Sequence, residues 1–431
     1  MQFMLAILAL SFLIIVHEFG HFAVAKLSGI KVHEFSLFMG PQIFGIKRGE
    51  TLYSVRLIPL GGFVRMEGEE EASEDAGAYN KKPLHIRAAV AVAGPLMNLL
   101  VAVIILCILF SAVGFRTTVV SEVAAGSSAY EAGIQKGDRI ISYDGKAVLH
   151  PMDIDLFMFV SKGAPAQLEV IRGNERLTRS IVPRKIAAQK RYILGFVPME
   201  NEGKDSNVVK AIVEGSNAEE AGLKAGDRII RLNGKTVESR QDIGDFMAEN
   251  SGEPVDVAVL RDGSEVALKI VPTFEQTPEM IDIGMYYENR FGGLFETIGS
   301  ALAYTFSTIR SVCYSIIWLI TGAVSLNQMM GPVGIVTTIG DVVKQSPTLS
   351  MVVLSLLNIT AFISINLGIM NLIPFPALDG SKLLLIAIEG IRRKAIPPEK
   401  EAFISMVGFV LLIMLMIFTT YNDILRRITG G

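Results

Sequence analysis

The chain has few cysteines and little charge for its length. Only two cysteines, Cys107 and Cys313, occur among 431 residues, and both lie in apolar stretches, so neither a disulfide framework nor a zinc-finger spacing is present. Charged residues make up 19% of the chain and the net charge is −3, which gives no case for nucleic-acid binding. Hydrophobic residues make up 50%, and the mean hydropathy is +0.44. This composition is typical of a membrane protein with soluble parts.

Four apolar stretches are long enough to cross a bilayer, which takes about 20 residues of α-helix. They occupy residues 1–25, 88–114, 351–373 and 402–421. A fifth stretch, 298–326, fits either a span or an amphipathic helix, because Arg310 lies near its middle among many small polar residues.

The first apolar stretch ends in a cluster of ionisable residues, HEFGH at 17–21. On a helix, His17 and His21 share one face and can bind the same metal ion, while Glu18 projects differently and can take a proton from water. Ionisable groups are costly inside a membrane, which disfavours a pair of packed core histidines. A cleavable signal peptide is also disfavoured, because no basic residues precede the apolar run and the cluster lies where small residues are expected.

A candidate third ligand lies near the far end of the chain, in NLGIMNLIPFPALDGSKLL at 366–384. Pro374 and Pro376 break the helix, and Asp379 follows the break. A carboxylate on a broken helix at membrane depth is an expected position for an ion ligand, and it would complete a three-ligand zinc site with the two histidines. The alternative is that Asp379 caps the next helix.

The segment 115–290 is charged, rich in glycine and contains a repeat. Residues 121–148 align without a gap to residues 210–237, an offset of 89 residues (210 − 121). Each copy predicts a short helix, a KGD or AGD turn, a β-strand and a DG or NG hairpin turn. The pattern resembles the PDZ domains of bacterial envelope proteases, which bind extended peptides along a strand edge. The alternative is that both copies are spacers without a ligand.

HEFGH and NLIPFPALDG resemble the HExxH and NxxPxxxxDG motifs of the site-2 protease family of intramembrane zinc metalloproteases, and both match without departure. AGPLMN at 93–98 resembles the family's G-P-x-x-N element. IPLGGFVRMEGE at 58–69 resembles its membrane-associated β-loop. Because two PDZ-like copies lie between the second and third spans, the chain is most similar to the regulator-of-sigma-E branch found in Gram-negative bacteria.

This resemblance implies one Zn²⁺ ion held by His17, His21 and Asp379, with Glu18 as the catalytic acid and base. It also implies that the β-loop pairs with an unwound substrate as an added strand. The candidate substrate-binding residues are Asn371, Asn366, Pro374, Asn98, Gly61, Gly62 and Phe63. Packing is the alternative role for the asparagines, and orienting a metal ligand is a further alternative for Asn98.

Parity of the spans tests the arrangement independently of the family. HEFGH lies at the end of the first span and Asp379 just after the third. If the chain has four spans, both lie on the same side of the membrane, whereas a fifth span at 298–326 would put them on opposite sides. We therefore expect 298–326 to be an amphipathic helix that lies on the membrane or props the PDZ copies. Basic residues in the loops 26–87 and 382–401 predict that those loops face the cytoplasm of a bacterial inner membrane, with the PDZ copies in the periplasm.

The fold class predicted from these features is a polytopic α-helical membrane protein with four transmembrane helices, a membrane-associated β-loop and two periplasmic α+β PDZ domains. The predicted order is transmembrane helix 1 with HExxH (1–26), a cytoplasmic-side region with the β-loop (27–87), transmembrane helix 2 (88–114), PDZ domain 1 (115–205), PDZ domain 2 (206–290), amphipathic membrane-associated helices (291–350), transmembrane helix 3 (351–376), a cytoplasmic-side loop with the aspartate ligand (377–401) and transmembrane helix 4 (402–421).

The function implied by the resemblance is zinc-dependent cleavage of the transmembrane segment of single-pass proteins that have already been trimmed outside the membrane. The expected substrate is an anti-sigma factor of an envelope stress response, or a remnant signal peptide, and the expected partners are the lipid bilayer and peptide ligands of the PDZ copies. Two other classes stay open, a scaffold with a structural metal site and a metal transporter. A structural zinc site normally has four protein ligands, and a transport path would need a second ligand cluster.

Overall fold

The computed structural model describes residues 2–69, 71–186, 189–198, 207–213, 215–277, 280–324, 329–345 and 348–429. Its α-helices are α1 (Gln2–Leu27), α2 (Leu84–Val113), α3 (Ser128–Glu131), α4 (Met152–Val160), α5 (Asn217–Glu220), α6 (Arg240–Glu249), α7 (Leu294–Thr321), α8 (Pro332–Gln345), α9 (Leu349–Asn371), α10 (Asp379–Arg392) and α11 (Pro398–Thr429).

The strands form one hairpin and two β-units. The hairpin consists of β1 (Val32–Arg48) and β2 (Thr51–Met66). The strands of the β-units are β3 (Phe115–Val123), β4 (Arg139–Tyr143), β5 (Lys146–Ala147), β6 (Ala166–Arg172), β7 (Glu175–Ile181), β8 (Arg184–Ile186), β9 (Gln189–Ile193), β10 (Phe196–Pro198), β11 (Val209–Ile212), β12 (Arg228–Leu232), β13 (Lys235–Thr236), β14 (Val255–Arg261), β15 (Ser264–Ile270), β16 (Thr273–Thr277), β17 (Met280–Asp282) and β18 (Met285–Arg290).

Four of the described helices are long and apolar enough to cross a membrane, in agreement with the four predicted stretches. They are α1 from Ile7 onward, α2, α9 and α11 from Glu399 to Arg426. Helix α7, which covers most of the stretch 298–326, is not among them; residues 325 and 326 lie outside the described part of the chain. The chain is therefore a polytopic helical membrane protein.

Small residues bring the membrane helices together. Gly20 of α1 lies against the backbone of α2, where an added Cβ would sit 2.8 Å from the carbonyl carbon of Ala93. Ala102 of α2, Ala301 of α7 and Ala361 of α9 are fully buried in one cluster. Because these side chains are short, the helices approach closely enough for ligands on different helices to meet.

The β1–β2 hairpin packs along α1. The hydroxyl of Ser11 donates to the carbonyl of Pro59 at 2.7 Å and accepts from the backbone N–H of Gly61 at 3.3 Å. One carboxylate oxygen of Glu18 accepts from the backbone N–H of Val64 at 3.1 Å. The two contacts are seven residues apart in α1 and three residues apart in β2. Seven residues of helix and three residues of strand are both about 10 Å long, so β2 can run alongside α1 between the two contacts.

The segment between α2 and α7 forms two β-units, and the second unit is inserted into the first. The sheet of the first unit has the order β18-β3-β4-β6-β7, with β5 beside β4. The second unit contains the sheet β13-β12-β14-β15 and the pair β10-β11. Two antiparallel ribbons, β8 with β17 and β9 with β16, carry the chain out to the second unit and back.

This pairing differs from the predicted division between residues 205 and 206, a point that itself falls outside the described residues. The prediction puts residues 285–290 in the second domain, whereas in the structure β18 pairs with β3, and Ile283 and Met285 are buried in the core of the first unit. The physical reason is that the inserted segment begins at the end of α2 and ends at the start of α7, and these two helices pack against each other. Pairing Phe115 with Arg290 brings these two ends to the same place.

Helix α7 supports the first β-unit through a buried polar contact. Asp153, at the start of α4, is fully buried and accepts a hydrogen bond from the hydroxyl of Ser307 at 2.8 Å. Its other oxygen lies 3.3 Å from the guanidinium of Arg310, which also donates to the carbonyl of Ala147 at 2.7 Å. Arg310 therefore binds a soluble unit, which explains a cation in the middle of an otherwise apolar stretch.

Candidate active site

Three potential metal ligands converge where α1 meets the beginning of α10. Nε2 of His17 lies 3.1 Å from Nε2 of His21 and 3.0 Å from Oδ2 of Asp379. Nε2 of His21 lies 3.4 Å from the same carboxylate oxygen. Two imidazole nitrogens and one carboxylate oxygen within 4.8 Å of one another form a donor set that suits zinc, with a coordination position left for water or substrate.

The second ring nitrogens of both histidines have partners of their own. Nδ1 of His21 lies 2.8 Å from the carbonyl oxygen of Val90, so Nδ1 carries the proton and Nε2 is free to bind a metal. Nδ1 of His17 lies 3.3 Å from the side-chain amide of Asn98, which is fully buried. A metal on Nε2 requires a hydrogen-bond acceptor at Nδ1. When the side-chain amide of Asn98 is turned by half a rotation, its oxygen faces Nδ1 of His17 and accepts that hydrogen bond. In the present orientation this oxygen has no hydrogen-bond partner.

The helix α2 is in contact with both imidazole rings at Gly94. A Cβ at this position would lie 2.7 Å from Cε1 of His21 and 2.8 Å from Cε1 of His17, and closer still to Nε2 of His21. The absence of a side chain at Gly94 thus lets α2 approach the two candidate ligand rings. Pro95, inside α2, follows directly, in the AGPLMN element at 93–98.

Asp379 is placed by the break between α9 and α10. Leu378 occupies the N-cap position, so Asp379 is the first residue of α10 and the capping alternative does not hold. An ion pair of 2.9 Å between Arg87 and Glu389 fastens α10 to the start of α2.

Glu18 and the three ligand residues line one cavity of about 290 Å³. The N–H of Val64 at the edge of β2 holds the Glu18 carboxylate beside it. A carboxylate next to a three-ligand metal site can accept a proton from water and pass it to a leaving group. The arrangement is therefore suited to hydrolysis.

The structure brings only part of the predicted substrate-binding set to this cavity. Phe63 and Asn371 line it, and Gly61 and Gly62 lie just before Phe63 in β2. Asn98 does not face the cavity, because it is buried behind His17.

Two further residues from that set lie elsewhere. Asn366 donates to the carbonyl of Phe362 within α9, at 2.8 Å. Pro374 is exposed in the turn after α9 and does not line the cavity. Asn366 and Asn371 are five residues apart on α9 and therefore do not share a helix face, so only Asn371 reaches the cavity.

Sequence reasoning missed an ion pair at the cavity wall. Nζ of Lys382, one turn after Asp379, lies 2.7 Å from a carboxylate oxygen of Glu69, in the loop after β2, and both residues line the cavity. The charge of Glu69 raises the pKa of Lys382 far above its ordinary range. Glu69 belongs to the acidic run 67–77, whose sequence predicts a solvated loop, and nothing in the local pattern marks Glu69 as the partner of Lys382.

Comparison with known proteins identifies the family. The sequence profile described as peptidase family M50 matches residues 5–415. The chain belongs to peptidase family M50. The match covers the three candidate ligand residues and the inserted β-units, and M50 peptidases are zinc-dependent.

Relatives agree with the family over almost the full length. The zinc metalloprotease RasP of Bacillus licheniformis is 32% identical over 97% of this chain and 98% of its own length. The regulator of sigma-W protease RasP of Bacillus subtilis is 32% identical over 96% of both chains. The RasP protein of Geobacillus kaustophilus is 30% identical over 96% of this chain and 95% of its own length. This M50 peptidase is therefore an intramembrane zinc metalloprotease of the site-2 type.

A likeness to a solved structure covers only a small part of the chain. The crystal structure of the HtrA3 PDZ domain matches 21% of this chain and 92% of that domain at 17% identity, with a TM-score of 0.18. That score is too low to assign a fold to either β-unit.

Proposed function

We propose that His17, His21 and Asp379 hold the zinc ion of this M50 peptidase and that Glu18 is its catalytic acid and base. The observation that carries the proposal is the convergence of three ligand atoms within 4.8 Å, from an N-terminal helix and from α10, beside a fourth ionisable side chain in the same cavity. Structural zinc sites are normally closed by four protein ligands, so three ligands and a neighbouring glutamate favour catalysis over a scaffold role.

The zinc ion, when bound, supplies Lewis acidity that activates water and polarises the scissile carbonyl group. Glu18 takes a proton from the attacking water and gives it to the nitrogen of the leaving amine. The hydrogen bond from Val64 keeps the Glu18 carboxylate oriented during both transfers. Asn98 and the carbonyl of Val90 hold the two imidazole rings in the tautomer that the metal needs.

A transmembrane helix is protected from hydrolysis because its amides are hydrogen-bonded internally, so the substrate must unwind locally. We infer that the unwound segment pairs with β2 near Phe63, because this edge of the hairpin borders the cavity and already offers its N–H at Val64 to Glu18. The amide of Asn371, on the opposite wall, can bind a freed backbone group.

The cavity is proposed to open towards the cytoplasmic side and the β-units to lie outside. The ends of α1 and α10 that carry the proposed ligands adjoin the basic segments 26–87 and 382–401, and the second segment is helical over most of its length instead of the predicted loop. Helix α7 is not among the described helices that are long and apolar enough to cross a membrane. With four spans, the β-units between α2 and α7 then lie across the inner membrane from these segments. We propose that the two units are PDZ domains, on the basis of the repeat and its turn pattern.

The proposed substrates are single-pass membrane proteins trimmed outside the membrane. One relative is named regulator of sigma-W protease, which favours an anti-sigma factor in an envelope stress response, with remnant signal peptides as a second substrate class. Purified protein in detergent is expected to cut a trimmed single-span substrate, and mass spectrometry is expected to place the cut within the apolar span. A zinc chelator should stop the reaction and added zinc restore it. Cuts confined to the flanking polar residues would contradict the proposal.

The β-units are proposed to restrict access to the cavity by size. Because Phe115 pairs with Arg290, excision of residues 116–289 with a short glycine-serine linker leaves the membrane ends about 5 Å apart, as in the intact sheet. We expect the shortened protein to cut a substrate that still carries its folded outer domain, at least ten times faster than the full chain does. Cleavage of the trimmed substrate is the control for folding. If the shortened protein cuts the trimmed substrate but still does not cut the untrimmed one, the β-units do not select substrates by size.

A further inference from the structure

The β1–β2 hairpin is folded back on itself, because both halves of β2 pair with the first half of β1. Phe35 of β1 has Tyr53 as its partner on one side and Val64 on the other. The end of β2, residues 62–66, therefore has β1 along one side, and on its other side the N–H of Val64 donates to Glu18. This is the edge along which the substrate is proposed to pair.

Phe63 is the first side chain on this edge that a paired substrate would meet. The two residues before it are glycines. Gly61 has a φ of 62°, and a Cβ on Gly62 would lie 2.6 Å from the carbonyl oxygen of Ser36. Phe63 lines the cavity that contains Glu18, and it also lines an adjoining groove of about 760 Å³. The ring of Phe63 therefore stands where the groove meets the cavity.

A cation from the same hairpin holds this ring. The guanidinium of Arg56 lies over the ring of Phe63, 5.1 Å from its centroid, which is the geometry of a cation–π contact. Arg56 is fixed in turn by two hydrogen bonds, to a carboxylate oxygen of Glu34 at 2.8 Å and to the carbonyl oxygen of Gly40 at 2.7 Å. Because a guanidinium is planar and rigid, these two bonds set the plane against which the ring packs.

The proposed hydrolysis makes no use of the buried charge of Glu34. This residue is 2% exposed, and the hydroxyl of Ser54 donates to the same carboxylate oxygen at 2.6 Å. Apolar residues of similar volume often stabilise a protein at least as well as a buried ion pair, so the pair of Glu34 with Arg56 calls for another reason. Holding the ring of Phe63 in one position is such a reason.

We propose that Phe63 limits the size of the substrate side chain beside the scissile bond, and that Arg56 and Glu34 are positioning residues for its ring. In a substrate strand paired with the end of β2, the residue opposite Val64 lies next to the catalytic cavity, and its neighbour lies opposite Phe63. The cavity of about 290 Å³ must also admit main chain and the attacking water, so that neighbour should be small, such as Gly, Ala or Ser. The inference rests on the proposed protease function.

The experiment compares trimmed single-span substrates that differ in one residue, with the full chain in detergent. The cut is mapped by mass spectrometry, and the residue on each side of it is then replaced in turn by Ala, Leu or Phe. At one of the two positions, we expect the wild type to show a kcat/KM about tenfold higher for Ala than for Phe. Phe63→Ala should bring this ratio close to one by raising cleavage of the Phe substrate, with zinc content unchanged.

Arg56→Met tests the positioning role, because it removes the cation from the ring. We expect the Ala-to-Phe ratio to fall about threefold in this variant, and to be unaffected by the same change in a Phe63→Ala protein, which has no ring to position. Arg65→Met is the matched control and should leave the ratio unchanged, since Arg65 approaches Glu34 at 3.7 Å but most of its side chain is exposed. If Arg56→Met alone does not fold, Glu34→Gln combined with Arg56→Met removes both charges and serves in its place.

The outcomes separate this inference from the function on which it rests. Equal cleavage of the Ala and Phe substrates by the wild type, or an unchanged ratio in Phe63→Ala, would overturn the role of Phe63. A shift caused by Arg56→Met that persists without the ring would overturn the positioning role of Arg56. A wild-type protein that cuts none of the substrates would contradict the protease function itself, whereas cleavage without a size preference would contradict only this inference.

Discussion

Replacing Gly94 with alanine is expected to abolish zinc binding and, with it, cleavage. The new methyl group would lie 2.7 Å from Cε1 of His21 and 2.8 Å from Cε1 of His17, and closer still to Nε2 of His21, which is the proposed ligand atom. Neither ring can move without losing its hydrogen bond to Val90 or Asn98.

Helix α2 cannot withdraw from the rings either, because other contacts hold it on two sides. On the side of α1, Gly20 touches the backbone of Ala93. On the side of α9, a Cβ on Gly368 would lie 3.0 Å from the carbonyl oxygen of Pro95. Loss of a hydrogen-bond partner behind a metal ligand alone typically costs 10–100-fold in metal affinity, so a collision with the ligand atom should cost more than about 100-fold.

The measurement is zinc content of the purified Gly94→Ala protein, by mass spectrometry of metals, together with cleavage of the trimmed substrate. The matched control is Gly299→Ala in α7, where an added Cβ meets no atom within 4 Å. We expect the control to bind one zinc ion per chain and to cleave normally. Full zinc occupancy in Gly94→Ala would show that the rings do not lie as described.

Replacing Glu18 with glutamine is expected to stop cleavage while zinc stays bound. Glutamine has nearly the same shape and its amide oxygen can still accept the hydrogen bond from Val64, but it cannot take up a proton. General acid–base groups contribute about 10²- to 10⁴-fold, so we expect kcat to fall by about 10³-fold. Zinc content should equal that of the wild type, because Glu18 is not one of the three converging ligands.

Glu69→Gln is the control for a carboxylate in the same cavity. Glu69 lines the same cavity but its carboxylate is paired with Lys382 at 2.7 Å instead of facing Val64, so its replacement should lower kcat less than tenfold. If Glu18→Gln cleaved as fast as the wild type, the general base would have to be another group. If Glu18→Gln lost its zinc, the glutamate would belong to the ligand set, and a structural metal site would become the better description.

The convergence of His17, His21 and Asp379 could be predicted from sequence because short motifs carry these residues. His17 and His21 share a helix face by spacing, and Asp379 follows a proline break at membrane depth. The four spans could be predicted because the length and apolarity of a helix that crosses a bilayer are fixed by the thickness of the membrane.

Strand exchange between the β-units could not be predicted, for a physical reason. Strands β10 and β18 occupy equivalent edge positions in the two units. Because their positions are equivalent, the local sequence does not determine which unit each strand pairs with. The deciding constraint is global, because both ends of the inserted segment return to the membrane. The position of Asn98 was open for a similar reason: its partner His17 lies 81 residues earlier, and only helix packing brings them together.

The most direct test of the zinc site is the X-ray absorption spectrum of zinc in the purified wild-type protein. We predict a first shell of nitrogen and oxygen only, at about 2.0–2.2 Å, with the outer scattering of two imidazole rings. The proposed ligands, His17, His21 and Asp379, would supply those atoms and no sulfur. A sulfur shell at about 2.3 Å, or a spectrum without two imidazole rings, would contradict the site at the junction of α1 and α10.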